Sequence, residues 1–209
     1  MRTDSQLICT NGSALAELAD SIVIQAQEKQ QLTVVAIDGR SGAGKSTLAK
    51  QLVNLLGAIS TQSQQRTVLF HLENMYQGWE GLLEATEDWS SLVQQLRRSN
   101  CGHWTGWDWE TSRAVPHQQL CLPETQDGAP VVLVGEGVGA FCADADFTCW
   151  VERPTSIRKT AALQRDGETY RPFWDTWALQ EKKLFEQRAE RYRRADCEIF
   201  IPDHAALTG

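Results

Sequence analysis

Eight consecutive residues carry the strongest chemical signal in the chain. Gly39-Arg40-Ser41-Gly42-Ala43-Gly44-Lys45-Ser46 fits G-x-x-x-x-G-K-[ST] at every fixed position. Glycines let a backbone curl until successive N–H groups point inward at phosphate oxygens. A helix opening near Lys45 adds the positive end of its dipole. In such a loop Lys45 reaches the β- and γ-phosphates, the Ser46 hydroxyl ligates Mg²⁺, and Thr47 contacts the α-phosphate. Asp38, just before the loop, either orients it or caps nearby N–H groups.

A second acidic element reads Val131-Val132-Leu133-Val134-Gly135-Glu136-Gly137. An apolar strand ending in a carboxylate beside a phosphate loop is what a metal-supporting strand needs. Glu136 accepts from Mg²⁺-bound water or approaches the metal directly.

These groups need elements to hold them. Leu32-Thr33-Val34-Val35-Ala36-Ile37 reads as a strand buried on both faces, closed by Asp38-Gly39. A helix from Lys45 to Leu56, stopped at Gly57, follows. Ser13 to Lys29 carries Leu15, Leu18, Ala19, Ile22, Val23 and Ala26 on one helical stripe. Thr67 to Leu72, Pro130 to Val134, Phe147 to Val151 and Cys197 to Ile201 are further strands of the same buried kind. Gly81 to Ser99 reads as a helix, and Asn100 to Leu122 as extended segments and loops. Pro154 opens a helix to about Arg165. Asp166 to Pro172 reads as a loop, and a long helix then runs to about Arg194. Strands alternating with helices predict a parallel α/β sheet covered on both faces.

The chain has 209 residues, enough for one domain with a lid or small insert. Its net charge of −7 argues against wrapping duplex nucleic acid. No apolar run approaches the roughly 18–20 residues a membrane span needs. Met1 to Ser5 leads into polar sequence without a signal-peptide core, so a cytoplasmic location is expected. The six cysteines show neither Cys-x-x-Cys nor zinc spacing and read as reduced thiols packed as small hydrophobes. Gln62 to Gln65 is too short to count as low complexity. Neither a guanine-reading Asn-Lys-x-Asp nor a transport-ATPase Leu-Ser-Gly-Gly-Gln occurs, which points to a kinase of small molecules.

Three stretches carry a family resemblance. Ile37 to Thr47, His71-Leu72-Glu73-Asn74-Met75-Tyr76 and Val134-Gly135-Glu136-Gly137-Val138 resemble the uridine kinase-like P-loop kinases. The likeness is greatest to an actinobacterial branch labelled ATP-binding proteins, and it spans Leu32 to the last strand. It implies a three-layer α/β/α P-loop NTPase fold with a mainly parallel five-stranded sheet. It also implies an acceptor-site insert over about 73–122 and a lid over about 158–172, all within a single domain covering 1–209. The implied activity is Mg-ATP-dependent phosphoryl transfer to a hydroxyl of a small metabolite, most plausibly a nucleoside.

In that family an Asp ending the second strand of the nucleotide core faces the acceptor hydroxyl. Here the matching position is Glu73, and Glu73-Asn74 stands where the branch carries Asp-Asp. Glu is one methylene longer, which alters the reach of the base, and about 1 Å of misplacement can cost a hundredfold in rate. The alternative is a nucleotide-binding regulatory protein with weak or absent catalysis. A nucleotide-free scaffold that binds a protein partner is a third reading. Lid cations would come from Arg158, Lys159, Arg165 and Arg171, with Arg165 in the place of the lid arginine.

The acceptor side is open to two readings. Tyr76 and Trp79 follow the candidate base, and Trp107-Asp108-Trp109 forms a second aromatic–acid element. Trp79 or Trp107 could stack on a base and Asp108 could hold ribose hydroxyls. Alternatively the tryptophans fill the core and Asp108 sits in a turn. Glu181 interrupts an apolar helix stripe and either faces the acceptor or pairs with Arg188.

Overall fold

The computed structural model describes residues 7–9, 12–29, 31–60, 66–125 and 129–201. The stretches Met1–Ser5 and Gln62–Gln65 discussed above lie outside them. The elements run β1 (Leu7–Cys9), α1 (Gly12–Lys29), β2 (Thr33–Asp38), α2 (Lys45–Ser60) and β3 (Arg66–His71). They continue with α3 (Leu82–Ser99), β4 (Cys101–Asp108), β5 (Arg113–Cys121), β6 (Val131–Glu136) and β7 (Phe147–Glu152). The chain closes with α4 (Thr155–Tyr170), α5 (Trp174–Gln187), α6 (Ala189–Tyr192) and β8 (Cys197–Phe200).

Six strands form one parallel sheet in the order β1-β8-β7-β2-β6-β3. The five expected strands are all present, and β1 adds a short sixth at one edge. Every residue of β2 is buried, as its unbroken apolar run requires. Side chains alternate across it. Val35 and Ile37 meet α1 and α2 on one face, while Val34 and Ala36 join the core under α3 and α5 on the other. The result is a three-layer α/β/α arrangement. β3 departs from the doubly buried reading: as an edge strand it buries only Phe70.

Asn100 to Leu122 is more regular than expected. It forms an antiparallel hairpin of β4 and β5 with a register shift between Trp104 and Gly106. Phe70 links this hairpin to the sheet, stacking on Trp89 at 5.4 Å and meeting Trp104 edge-on at 5.2 Å. The thiol reading fails for Cys101 and Cys121. They face each other across the hairpin, with Cα atoms 4.1 Å apart, and are joined by a disulfide.

The C-terminal helices also differ from expectation. Asp166 to Pro172 is mostly helical, the last turn of α4 passing through a kink at Gly167. The expected long helix breaks at Arg188, where φ −116 leaves helical geometry. Gly57 does not stop α2: it is not among the glycines of positive φ, and the helix continues to Ser60. No helix among the described residues is long and apolar enough to cross a membrane.

Strand order decides where chemistry can gather. β2 lies centrally, between β7 and β6, and β6 adjoins β3. The carboxyl ends of β2, β6 and β3 therefore carry the phosphate loop, Glu136 and Glu73 to one edge of the sheet.

Candidate functional site

Two glycines shape the phosphate loop through close backbone approaches. A Cβ on Gly39 would lie 2.3 Å from the Val151 carbonyl oxygen, and one on Gly42 would lie 2.1 Å from that of Arg158. Both also have positive φ, +151° and +77°, which a side chain would strain. The loop thus presses against β7 and the first turn of α4. Ala43 N–H donates to the Arg40 carbonyl, closing a turn at 3.1 Å, and Leu48 N–H begins the helical ladder on Gly44.

Asp38 is the buried anchor behind the loop. One carboxylate oxygen accepts the Gly39 and Gly139 N–H groups at 2.7 and 3.1 Å. The other accepts Phe141 N–H at 3.0 Å and the Tyr192 hydroxyl at 2.9 Å. Of the two readings open in the sequence, these contacts are those of capping and of tying the loop to the segment after β6.

Burial pushes the Asp38 carboxyl up from 3.8 to about 6, against the bonds from Phe141 and Gly39 and the nearby Lys45 ammonium. Between those values the folded chain holds a proton that the unfolded chain has released. This group's contribution therefore favours folding below pH 4 and falls as pH rises through 6. At about 1.4 kcal/mol per pKa unit the loss is on the order of 3 kcal/mol. Asp38→Asn cannot ionise, so its urea-unfolding stability should fall less than wild type between pH 4 and 7. Parallel stability–pH curves would contradict the assignment.

Lys45 is buried at 8% exposure, and its Nζ donates to the Arg40 carbonyl at 3.1 Å. Burial lowers its pKa, while Glu136, Glu181 and Asp38 pull the other way. Ser46 Oγ donates to Glu136 Oε1 at 3.0 Å. His71 Nδ1 lies 2.5 Å from the same oxygen, an adjacency set by the His71–Glu136 register of β3 and β6. Mg²⁺ is commonly held through one or two protein oxygens plus phosphate oxygens and water. A hydroxyl beside a carboxylate fits that demand. No cluster of three metal-ligating side chains occurs among the described residues.

A cavity of about 390 Å³ opens in front of the loop. Ser41, Gly42, Lys45, Ser46 and Glu136 form its phosphate-loop side. Glu73, on the turn Leu72–Asn74, lines the same cavity with its side chain exposed. Aromatic walls come from Tyr76, Trp79, Trp109, Tyr170 and Trp177. Trp79 stacks on Tyr170 and Phe173 at 5.0 and 4.9 Å, so it also fastens the end of α4 to this wall.

The expected lid cations divide. Arg165 lines the cavity and makes two bonds to Asp166, at 2.8 and 2.7 Å. The Asp166 bond outweighs burial and raises the Arg165 pKa, with the charges of Asp166 and Glu73 adding to it. Lys159 sits over the Trp174 ring at 5.7 Å. Arg158 is buried and donates to the Ser41 carbonyl at 3.0 Å.

Three acceptor-side expectations and one lid cation need correction. Asp108 does not line the cavity. Its carboxylate caps the β4–β5 turn, accepting Glu110 N–H at 2.9 Å and the Thr111 hydroxyl at 2.6 Å. Those bonds hold its pKa below the ordinary value, the Thr111 hydroxyl contributing most. Trp107 packs beside Gly78 behind the wall, and Trp109, two residues on, lines the cavity instead. Arg171 pairs with exposed Glu168 at 3.1 Å, outside the cavity. Glu181 faces neither the acceptor side nor Arg188. It accepts Ser41 N–H at 2.7 Å and lies 3.6 Å from Arg40.

No protein-family model and no curated protein matches the chain. Solved structures do. A possible uridine kinase from Bacillus stearothermophilus is similar over 88% of this chain and 99% of its own, at 21% identity and a TM-score of 0.51. A candidate fructose transport system kinase from Silicibacter sp. TM1040 is similar over 88% of this chain and 98% of its own, at 18% identity and a TM-score of 0.49. The first of these likenesses shows that the three-layer α/β/α fold described above is shared with that structure over nearly its whole length.

Proposed function

We propose that the chain is a Mg-ATP-dependent phosphotransferase acting on a hydroxyl of a small metabolite, most plausibly a nucleoside. The observation that carries this reading is one cavity lined by the phosphate loop, by Glu73 and by aromatic side chains together. The structural relative's description as a possible uridine kinase supports the nucleoside assignment. The phosphate loop, residues 39–47, holds the triphosphate by the amides its own contacts leave open; those of Gly39, Ser41 and Ala43 already donate to Asp38, Glu181 and the Arg40 carbonyl. Lys45 covers the β- and γ-phosphates. Ser46 and Glu136 would hold Mg²⁺, and the metal would supply charge neutralisation to the phosphates.

Glu73 orients the acceptor hydroxyl and takes its proton as the new oxygen–phosphorus bond forms. The bond from phosphorus to the β-phosphate oxygen breaks, and ADP leaves. Arg165 turns from Asp166 to the transferring phosphoryl group. Trp109, 38% exposed, offers the freest stacking face in the wall. The lid over 158–172 and the insert over 73–122 close the site within a single domain covering 1–209. A cytoplasmic location would supply the ATP.

A second reading rests on the residue at 73. Where the resembling branch carries Asp, the longer Glu would leave a nucleotide-binding regulatory protein with weak or absent transfer.

The test is ADP release from Mg-ATP with a panel of nucleosides, sugars and short alcohols. A nucleoside should stimulate release and emerge as its 5′-monophosphate. Tight ATP binding with every acceptor inert would overturn the kinase reading and leave the regulatory one.

A further inference from the structure

Ser41 is held in an unusual way for a loop residue. Its N–H donates to Glu181 Oε1 at 2.7 Å, and its carbonyl accepts Arg158 Nη1 at 3.0 Å. Both partners are buried charges, Glu181 2% and Arg158 5% exposed. Both come from the C-terminal helical layer, Arg158 on α4 and Glu181 on α5.

Each partner is itself fixed. Arg158 Nε donates to the Arg153 carbonyl and Nη2 to Thr155 Oγ1, both at 3.0 Å. Glu181 sits on the buried stripe of α5 between Trp177 and Leu184. Its second oxygen is 3.6 Å from Arg40. Burying a carboxylate and a guanidinium is costly unless they are paired and hydrogen-bonded. Here both are bonded to one peptide segment, and each lies within the other's field.

We propose that Glu181 is a positioning residue for the phosphate loop, acting with Arg158 as a clasp on both backbone groups of Ser41. The inference rests on the phosphate-binding reading given above. The turn from Arg40 to Ala43 is closed from within by one backbone bond, Ala43 N–H to the Arg40 carbonyl, and it precedes the helix that begins at Lys45. The clasp fixes that turn before ligand arrives, so nucleotide binding need not order it. Preorganised donors cost no reorganisation when charge arrives. The clasp also ties the loop's shape to α4, the helix that carries Arg165.

The test is calorimetric titration of Mg-ATP into wild type, Glu181→Gln and Glu181→Ala, with a thermal melt of each. Gln keeps an acceptor for Ser41 N–H and should bind within about threefold of wild type. Ala leaves that N–H without its acceptor and should bind about tenfold or more weakly. Equal affinity of Ala and wild type overturns the proposal. So does tighter binding by Ala, which would make the carboxylate a competitor of phosphate. A loss in Gln as large as in Ala overturns the acceptor role. Should Ala not fold, Glu181→Asp, one methylene shorter, replaces it: weaker binding with an unchanged melt supports the clasp, and unchanged affinity overturns it. Wild type that binds no nucleotide overturns the phosphate-binding reading and the clasp with it. Binding by wild type with indifferent variants overturns the clasp alone.

Discussion

Lys45→Met is expected to weaken Mg-ATP binding and any turnover by at least about a hundredfold. The ammonium is buried, and Asp38, Glu136 and Glu181 are the charges that hold it. Without it Glu136 lines the cavity with no ammonium beside it, and the buried charges of Glu181 and Asp38 lose the cation they act on. Removing one preorganised donor from a developing negative charge costs about 10²–10³ in rate. Here uncompensated repulsion adds to that loss. Calorimetry on the variant measures the affinity and ADP release measures the rate. A Lys45→Met chain that binds and turns over like wild type would remove the loop from the chemistry.

The second large effect is expected at Glu73. Glu73→Gln should cut transfer by about a hundredfold or more while leaving nucleotide affinity and the melting temperature unchanged. The side chain is exposed and lines the same cavity as Lys45 and Ser46. Its loss therefore removes a proton acceptor and little else. Glu73→Asp separates the two readings of the chain. In a working kinase, shortening the base by one methylene lowers kcat. In a protein disabled by the longer side chain, Asp creates or raises activity. Steady-state kinetics with the stimulating acceptor reads both variants.

What the sequence disclosed about the fold came from local, repetitive signals. Leu32 to Ile37 reads as a strand buried on both faces because its run is apolar and β-branched without a charged residue. The loop from Gly39 to Ser46 was legible because phosphate recognition by backbone amides fixes residue types at set spacing. The hairpin was less visible. Its strands carry exposed polar residues on β5, and no two-residue glycine turn marks it. The Cys101–Cys121 bond depends on a register that a list of scattered cysteines does not encode.

The candidate site divides along the same line. Glu136 and Ser46 follow from strand-end and loop positions, and the structure brings them within 3.0 Å. Glu73 also lines the cavity with them. The aromatic wall does not follow so directly. Trp107 and Trp109 are equivalent in composition, and only the turn after β4 decides which one lines the cavity. Asp108 was read both as a ligand and as a turn residue, and the hydroxyl of Thr111, three positions on, marks the turn. Glu181 was the least legible. A carboxylate breaking an apolar stripe announces a partner, but that partner, the Ser41 amide, lies 140 positions away. His71 could have been found from the strand order alone, since pairing β3 beside β6 sets it opposite Glu136.

The most direct measurement is titration of the folded wild-type chain with ATP in the presence of magnesium. Saturable heat at one site per chain, lost in Lys45→Met, is the expected result. A folded chain that releases or absorbs no heat at millimolar nucleotide would contradict the assignment of the Gly39 loop to a triphosphate.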